Sequence, residues 1–159
     1  MKITQILASL MFSGLLVISS FGQQSEKRVV SKTETEILKF MDEYAEDLRQ
    51  NRAKETSDRY DRRGAYFLGH GDKSLETFEA IQKRYADRKK GIAGFEWRDI
   101  TVEVISPKAV VVMARFGIAG NSQMRASYTG LFVKTDGKWL IRAEDESFAA
   151  PPQPKAKAQ

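Results

Sequence analysis

From Phe95 onward the apolar residues of this chain recur at every second position, whereas before it they recur every third or fourth. That change of period limits the fold more than any other feature. Ile100, Val102 and Val104 alternate with Thr101 and Glu103. Residues 109–119 form an apolar run that carries Arg115, and further strands are expected over 124–134 and from Trp139 to about Ser147. Turn signals separate them at Ser106-Pro107-Lys108, Gly120-Asn121-Ser122 and Asp136-Gly137, the last being a hairpin signal. Helices followed by antiparallel strands make an α+β plan rather than an alternating parallel one. A four-strand meander cannot cover both of its own faces. Helices must close one, and a curled sheet beneath them leaves a cavity at its open end.

The helical half is read from caps and stripes. Thr33 with Glu36 spells a capping box, and Ile37, Met41, Tyr44 or Ala45, and Leu48 predict a helix of about four turns. Residues 51–60 predict a short second helix, with Ala53 and Tyr60 as its buried points. Residues 64–68 read as a strand before the turn Gly69-His70-Gly71-Asp72. Ser74 is then the expected cap of a third helix ending near Gly91, with Leu75, Phe78, Ile81, Gln82 and Tyr85 on its stripe.

Composition removes whole classes of chemistry. The 159 residues include no cysteine and one histidine, which excludes disulfides, thiol nucleophiles and multi-histidine metal centres. Residues 1–22 read as a signal peptide: Lys2, an apolar run over 6–18, and Ser20-Phe21-Gly22 as the cleavage site. The run is shorter than the roughly 20 residues a membrane span needs. The expected mature chain starts at Gln23, is exported to the periplasm or medium without a membrane anchor, and meets no nucleotide pool. No cofactor and no metal are expected. Basic residues cluster at Arg59, Arg62 and Arg63 and over 83–90, but Asp58, Asp61, Glu76, Glu79 and Asp87 interleave with them. That pattern favours a solvated helix face over nucleic-acid binding. Residues 149–159, with three prolines, are an expected disordered tail.

The order of elements and the ending DGKWLIRAEDES resemble the nuclear transport factor 2-like superfamily, nearest in kind to its SnoaL-like and ketosteroid isomerase-like branches. The resemblance covers residues 33–148. It implies a cone-shaped domain, three N-terminal helices packed on a curved, mainly antiparallel sheet, with a pocket between the layers. It also implies a homodimer through the outer sheet face. In the ketosteroid isomerases a first-helix tyrosine donates to an oxyanion, and Tyr44 falls at the matching place. Their base position is occupied by Gly69 and His70, and their second acid corresponds roughly to Tyr128 or Thr129. The association domain of calcium/calmodulin-dependent protein kinase shares the ending and carries three pocket arginines. Arg115 stands at the first of these, with Gly130 and Glu146 at the others.

The hairpin decides which side chains face the pocket, since a one-residue slip reverses a strand. A three-residue loop, Thr135-Asp136-Gly137, pairs Tyr128 with Glu144; a two-residue turn pairs Tyr128 with Asp145. The first agrees with the superfamily's pocket and puts Met113, Arg115, Tyr128, Arg142, Glu144 and Glu146 on the inner face. Trp139, Ile141, Leu131 and Val133 then form the outer face. With Tyr44, the inner set is the expected ligand-binding site, and Tyr44, His70 and Glu144 are the catalytic candidates. Each has a structural alternative: Arg115 as the partner of Glu144 or Glu146, Tyr44 as a core tyrosine, His70 as a loop histidine. The function expected is an exported module binding a small, possibly anionic organic molecule. The alternative is an isomerase, cyclase or hydrolase using Tyr44 with His70 or Glu144, and a third class is an interaction protein working through its sheet face.

Overall fold

Ser31 opens the first helix in the computed structural model, which describes residues 30–69 and 72–148. Its hydroxyl accepts the Glu34 N–H at 3.1 Å, and α1 (Lys32–Gln50) ends where Asn51 turns left-handed at φ 53°. This cap lies two residues before Thr33 because Ser31-Lys32-Thr33-Glu34 spells the same box. Glu36 instead accepts from Trp139 Nε1 at 2.9 Å and Lys134 Nζ at 2.6 Å. Ile37, Met41, Tyr44, Ala45 and Leu48 are buried as the stripe requires, joined by Phe40 and Asp47.

α2 (Ala53–Asp58) is the short second helix, and the chain leaves it along a single bridge between Tyr60 and Ile141 into β1 (Ala65–Gly69). The next segment departs from expectation. β2 (Asp72–Glu76) pairs antiparallel with β1, and Thr77 rather than Ser74 caps α3 (Phe78–Ala86), its Oγ1 accepting the Ala80 N–H at 3.2 Å. Leu75 is 53% exposed and Gln82 is exposed, so the buried stripe shrinks to Phe78, Ile81 and Tyr85. Gly91 lies beyond the helix and presses on α1. A Cβ there would stand 2.0 Å from the Arg49 carbonyl oxygen, a gap that admits no larger residue without moving the helix.

β3 (Phe95–Ser106), β4 (Ala109–Ile118), β5 (Asn121–Thr135) and β6 (Lys138–Phe148) form the expected meander. The six-stranded sheet runs β2-β1-β6-β5-β4-β3, antiparallel except for the β1–β6 pair. The fold is α+β, a curled sheet under helices. Its core fills the inner face with Ile37 and Met41 from α1, Ile81 from α3, and Val110, Val112, Phe132 and Ile141 from the strands. Each such side chain contributes roughly 1.5–3 kcal/mol by leaving water.

The β5–β6 hairpin follows neither expected register. Asp136 and Gly137 alone turn the chain, at φ 50° and 78°, as a two-residue loop with both central residues at positive φ. Phe132 then pairs with Ile141, but Leu131 pairs with Ala143, so Arg142 is an extra residue. The bulge shifts the face once more, and Tyr128 opposes Glu146 while Gly130 opposes Glu144. Trp139 and Ile141, expected outside, are therefore buried inside, and Leu131 and Val133 remain outside. The leader, the lead-in to residue 29, the turn residues His70 and Gly71, and the tail over 149–159 lie outside the described residues.

Candidate functional site

A cavity of about 300 Å³ opens at the wide end of the curled sheet. Tyr44 and Leu48 reach it from α1, Arg84, Tyr85 and Arg88 from α3 and the loop after it, and Glu144 and Glu146 from β6. Apolar side chains from the β3 and β4 ends complete the wall. Its floor is a cluster of phenols. Tyr60 Oη lies 2.8 Å from both Tyr44 Oη and Tyr85 Oη, while Tyr44 and Tyr85 stand 3.2 Å apart. Burial raises all three hydroxyls, Tyr85 to about 12, so the phenols keep their protons at neutral pH.

Glu144 closes this cluster from the sheet side. Tyr60 donates to its Oε1 at 3.0 Å, whereas Oε2 is buried without a hydrogen-bond partner. The carboxyl is 5% exposed, and burial, with the neighbouring Glu146 charge, pushes its pKa up to about 8. Tyr60, Arg84 and Tyr128 pull the other way without prevailing. Glu144 is thus a neutral carboxylic acid at pH 7. Burial raises Glu146 as well, opposed by Arg84 and Arg88. Tyr128, 1% exposed, has a hydroxyl that makes no well-aligned hydrogen bond but stands close enough to the Glu144 carboxyl for each to shift the other's protonation. Trp97 Nε1 beside it has no partner, the two rings 4.9 Å apart. Gly130 makes room for that hydroxyl: a Cβ there would come within 2.5 Å of Tyr128 Oη.

The cations at the mouth are unequal. Arg84 pairs with Glu76 and stacks 4.0 Å above the Phe67 ring. Arg88, half-buried, lies 5.1 Å from the Tyr85 ring centroid.

Of the residues read from sequence, Tyr44, Glu144 and Glu146 meet in the cavity, and Tyr128 lies buried on the same inner face. Met113 and Arg115 do not. Val110, Val112, Ala114 and Phe116 are the inward residues of β4, which leaves Met113 42% exposed and Arg115 on the outer face, paired with Asp99 rather than with Glu144 or Glu146. Arg142, at the bulge, donates to the Gly64 carbonyl and covers the Tyr66 ring, away from the cavity. His70 lies outside the described residues. Tyr60, Tyr85 and Arg88 were missed as site residues. Tyr85 was legible as the last buried position of its stripe, but no local signal separates a core tyrosine from one whose hydroxyl joins a network. Arg115→Ala is expected to leave stability within about 0.5 kcal/mol of wild type in thermal melts, since exposed ion pairs contribute little.

A larger, shallower groove of about 600 Å³ lies between α1, α2 and the β5–β6 turn. Glu36, Asp58 and Arg59 in its wall already have partners in Lys134, Lys54 and Asp47, so its size does not make it the better site.

A family model described as a SnoaL-like domain matches residues 37–151. No curated protein matches the chain. Among solved structures, a nuclear transport factor 2-like protein of unknown function from Shewanella oneidensis superposes with a TM-score of 0.60 at 19% identity, over 72% of this chain and 98% of that one. A protein provisionally assigned as a scytalone dehydratase from Novosphingobium aromaticivorans gives 0.61 at 14% identity, over 79% and 90%. One provisionally assigned as a ketosteroid isomerase from Parabacteroides distasonis gives 0.60 at 15%, over 80% and 97%. Identities this low speak for the fold alone.

Proposed function

Because the chain belongs to the SnoaL-like domain family, with the cone-shaped nuclear transport factor 2-like fold, we propose that its wide-end cavity is the binding site of a small organic molecule. The observation that carries this reading is the lining of the cavity, where the Tyr44 and Tyr85 side chains, the Glu144 and Glu146 carboxyls and the Arg84 and Arg88 guanidiniums converge on one hollow with an apolar wall. Leu48, Ile92, Phe95 and Phe116 supply the apolar wall that such sites use for affinity, and Arg88 at the mouth suits an anionic substituent. A thermal-shift screen with small aromatic ketones and acids tests it. A ligand at 100 times its Kd adds about 2.7 kcal/mol of stability. The gain is expected for wild type and lost in Ile92→Trp, which fills the cavity; a gain that survives the filling places the ligand elsewhere.

The second reading is an acid–base enzyme of the isomerase, cyclase or hydrolase kind. It is favoured by two carboxyls with raised pKa values on one cavity wall, Glu144 neutral and Glu146 available as a base. In this reading Tyr44 and Glu144 donate, rather than Glu144 acting as base. Turnover that survives in both Glu144→Gln and Glu146→Gln would remove it.

Two further proposals concern the whole molecule. Export follows from the leader over 1–22, and N-terminal sequencing of protein recovered outside the cytoplasm is expected to begin at Gln23. A homodimer through the outer sheet face fits the row Val111, Leu131, Ala143, Tyr66 and Leu75, neighbours across five strands. Leu131→Glu is expected to convert a sedimenting dimer to monomer, and an unchanged dimer moves the interface elsewhere.

A further inference from the structure

Two opposite charges on the cavity wall stand without partners. Among the described residues Glu146, half-buried on β6, makes no side-chain hydrogen bond or ion pair. Arg88, half-buried after α3, donates to no carboxylate among them, and its guanidinium only lies over the Tyr85 ring. The charges around them are already paired: Arg84 with Glu76, Lys83 with Asp87, Arg49 with Glu46. Glu146 feels the Arg88 charge, yet the two do not touch, and both side chains line the hollow. An apolar ligand that covers either charge takes it from water with nothing in exchange. A lone carboxylate satisfies Arg88 and is repelled by Glu146, and a lone ammonium does the reverse. A molecule that carries both satisfies both.

Resting on the reading of this cavity as a small-molecule site, we propose that it takes a free α-amino acid with an apolar side chain, the carboxylate accepting from Arg88 and the ammonium donating to Glu146. A ligand whose two charges are one carbon apart fits between protein charges that lie near each other without contact. Its side chain then meets Leu48, Ile92, Phe95 and Phe116. At the interior packing density of about 0.75, roughly 300 Å³ of space takes about 200 Å³ of ligand. That is room for one ring and its zwitterionic head, not for a second residue of the same size. Lys89 and Lys90, exposed beside Arg88, make a plain anion the competing occupant.

Phenylalanine, hydrocinnamate and phenethylamine share a ring and its two-carbon chain and differ in charge: both signs, negative alone, positive alone. Titration calorimetry of the full chain at about pH 7.5 is expected to show phenylalanine bound roughly tenfold tighter than either, the worth of one charge-assisted hydrogen bond. Arg88→Met weakens phenylalanine and hydrocinnamate and spares phenethylamine. Glu146→Gln weakens phenylalanine and phenethylamine and spares hydrocinnamate. A merely structural role does not produce this crossed pattern. Hydrocinnamate bound as tightly as phenylalanine makes the site a plain anion site and overturns the proposal; phenethylamine bound as tightly makes it a cation site and does the same. Either variant weakening all three probes alike overturns it too, because that residue then acts through the fold. In these cases the cavity reading stands as long as Ile92→Trp abolishes binding. Phenylalanine binding that survives Ile92→Trp lies outside the cavity and overturns the proposal. Binding of none of the three also overturns it, and the cavity reading falls only if the wider screen of ketones and acids is empty as well.

Discussion

Between about pH 5 and pH 9 the protein is expected to lose stability on the order of 3–5 kcal/mol that the Glu144→Gln variant does not lose. The native state holds Glu144 protonated up to about pH 8, because burial away from water penalises the carboxylate more than Tyr60 and Arg84 favour it. The unfolded chain releases that proton near the model-peptide value of 4.5. Above it the unfolded state binds fewer protons than the native one, so stability falls as pH rises. The fall begins near 4.5 and levels off once pH passes the folded value. Glu146, raised by burial as well, adds to the same slope. Glu36, Glu46, Asp58 and Asp61 act in the opposite window. Lys134, Arg49, Lys54 and Arg63 respectively lower their pKa values through hydrogen bonds, and the stability they contribute is lost only as pH falls into the acid range. Urea midpoints taken at one-unit steps across this range read the effect directly, because the m-value stays fixed when no new surface is exposed. A wild-type curve parallel to that of Glu144→Gln would mean that Glu144 is ionised in the folded protein, and the donor role built on it would fall with it.

The sequence carried the layer plan because that plan is written in periodicity. The stripe Ile37, Met41, Tyr44 and Leu48 has one buried face as a helix and none as a strand, and all four are buried. Asp136-Gly137 forms a two-residue turn because both residues tolerate positive φ. β2 escaped because Leu75 stands three residues before Phe78, the spacing of a helix, and only the Thr77 cap ends that pattern. A five-residue edge strand with one leucine has too short a pattern to compete with it.

The site was legible in part, and the reason lies in β4 and β6. The β4 strand is apolar on both faces, so nothing in its order says whether Met113 and Arg115 or Val112 and Ala114 point inward. Its pairing settles the matter: Ala114 opposes Tyr128. In β6 the extra residue at Arg142 puts Ile141 and Glu144 on one face although they are three apart. Neither hairpin register contained a bulge in mid-strand. Glu144 and Glu146 were placed inward nonetheless, since two one-residue shifts restore the original face. The phenol cluster has no sequence signature. Tyr44, Tyr60 and Tyr85 come from three separate elements, and each alone reads as an ordinary buried aromatic.

Asp47→Ala is expected to cost roughly 3–5 kcal/mol, the range for breaking a buried ion pair by removing one partner. Asp47 is 4% exposed, and its Oδ2 accepts from Arg59 Nε at 2.8 Å and from Nη2 as well. The Arg59 side chain, 14% exposed, lies over the Phe40 ring at 4.9 Å and would keep only Glu43, 3.7 Å away. A loss of that size lowers Tm by about 10 °C in a chain of this length. The position matters to the cavity because Arg59 precedes Tyr60. Its carbonyl accepts from the Ile141 N–H at 2.8 Å, and the Asp61 N–H donates to the Ile141 carbonyl at 3.0 Å, so the segment bearing Tyr60 is pinned to β6 by its backbone and to α1 by the Arg59 ion pairs with Asp47 and Glu43 and by the Tyr44–Tyr60 hydrogen bond. Replacing both charges, as Asp47→Leu with Arg59→Met, is expected to recover most of the stability, because the desolvation cost of two ions disappears with their attraction. Backbone pinning then remains while the ionic tether is gone. If the double variant keeps the pH dependence ascribed to Glu144 unchanged, the backbone bridge suffices to aim Tyr60; if stability returns but the fall continues to higher pH, the tether to α1 is what holds the phenol against the carboxyl, because the Tyr60 hydrogen bond lowers the Glu144 pKa.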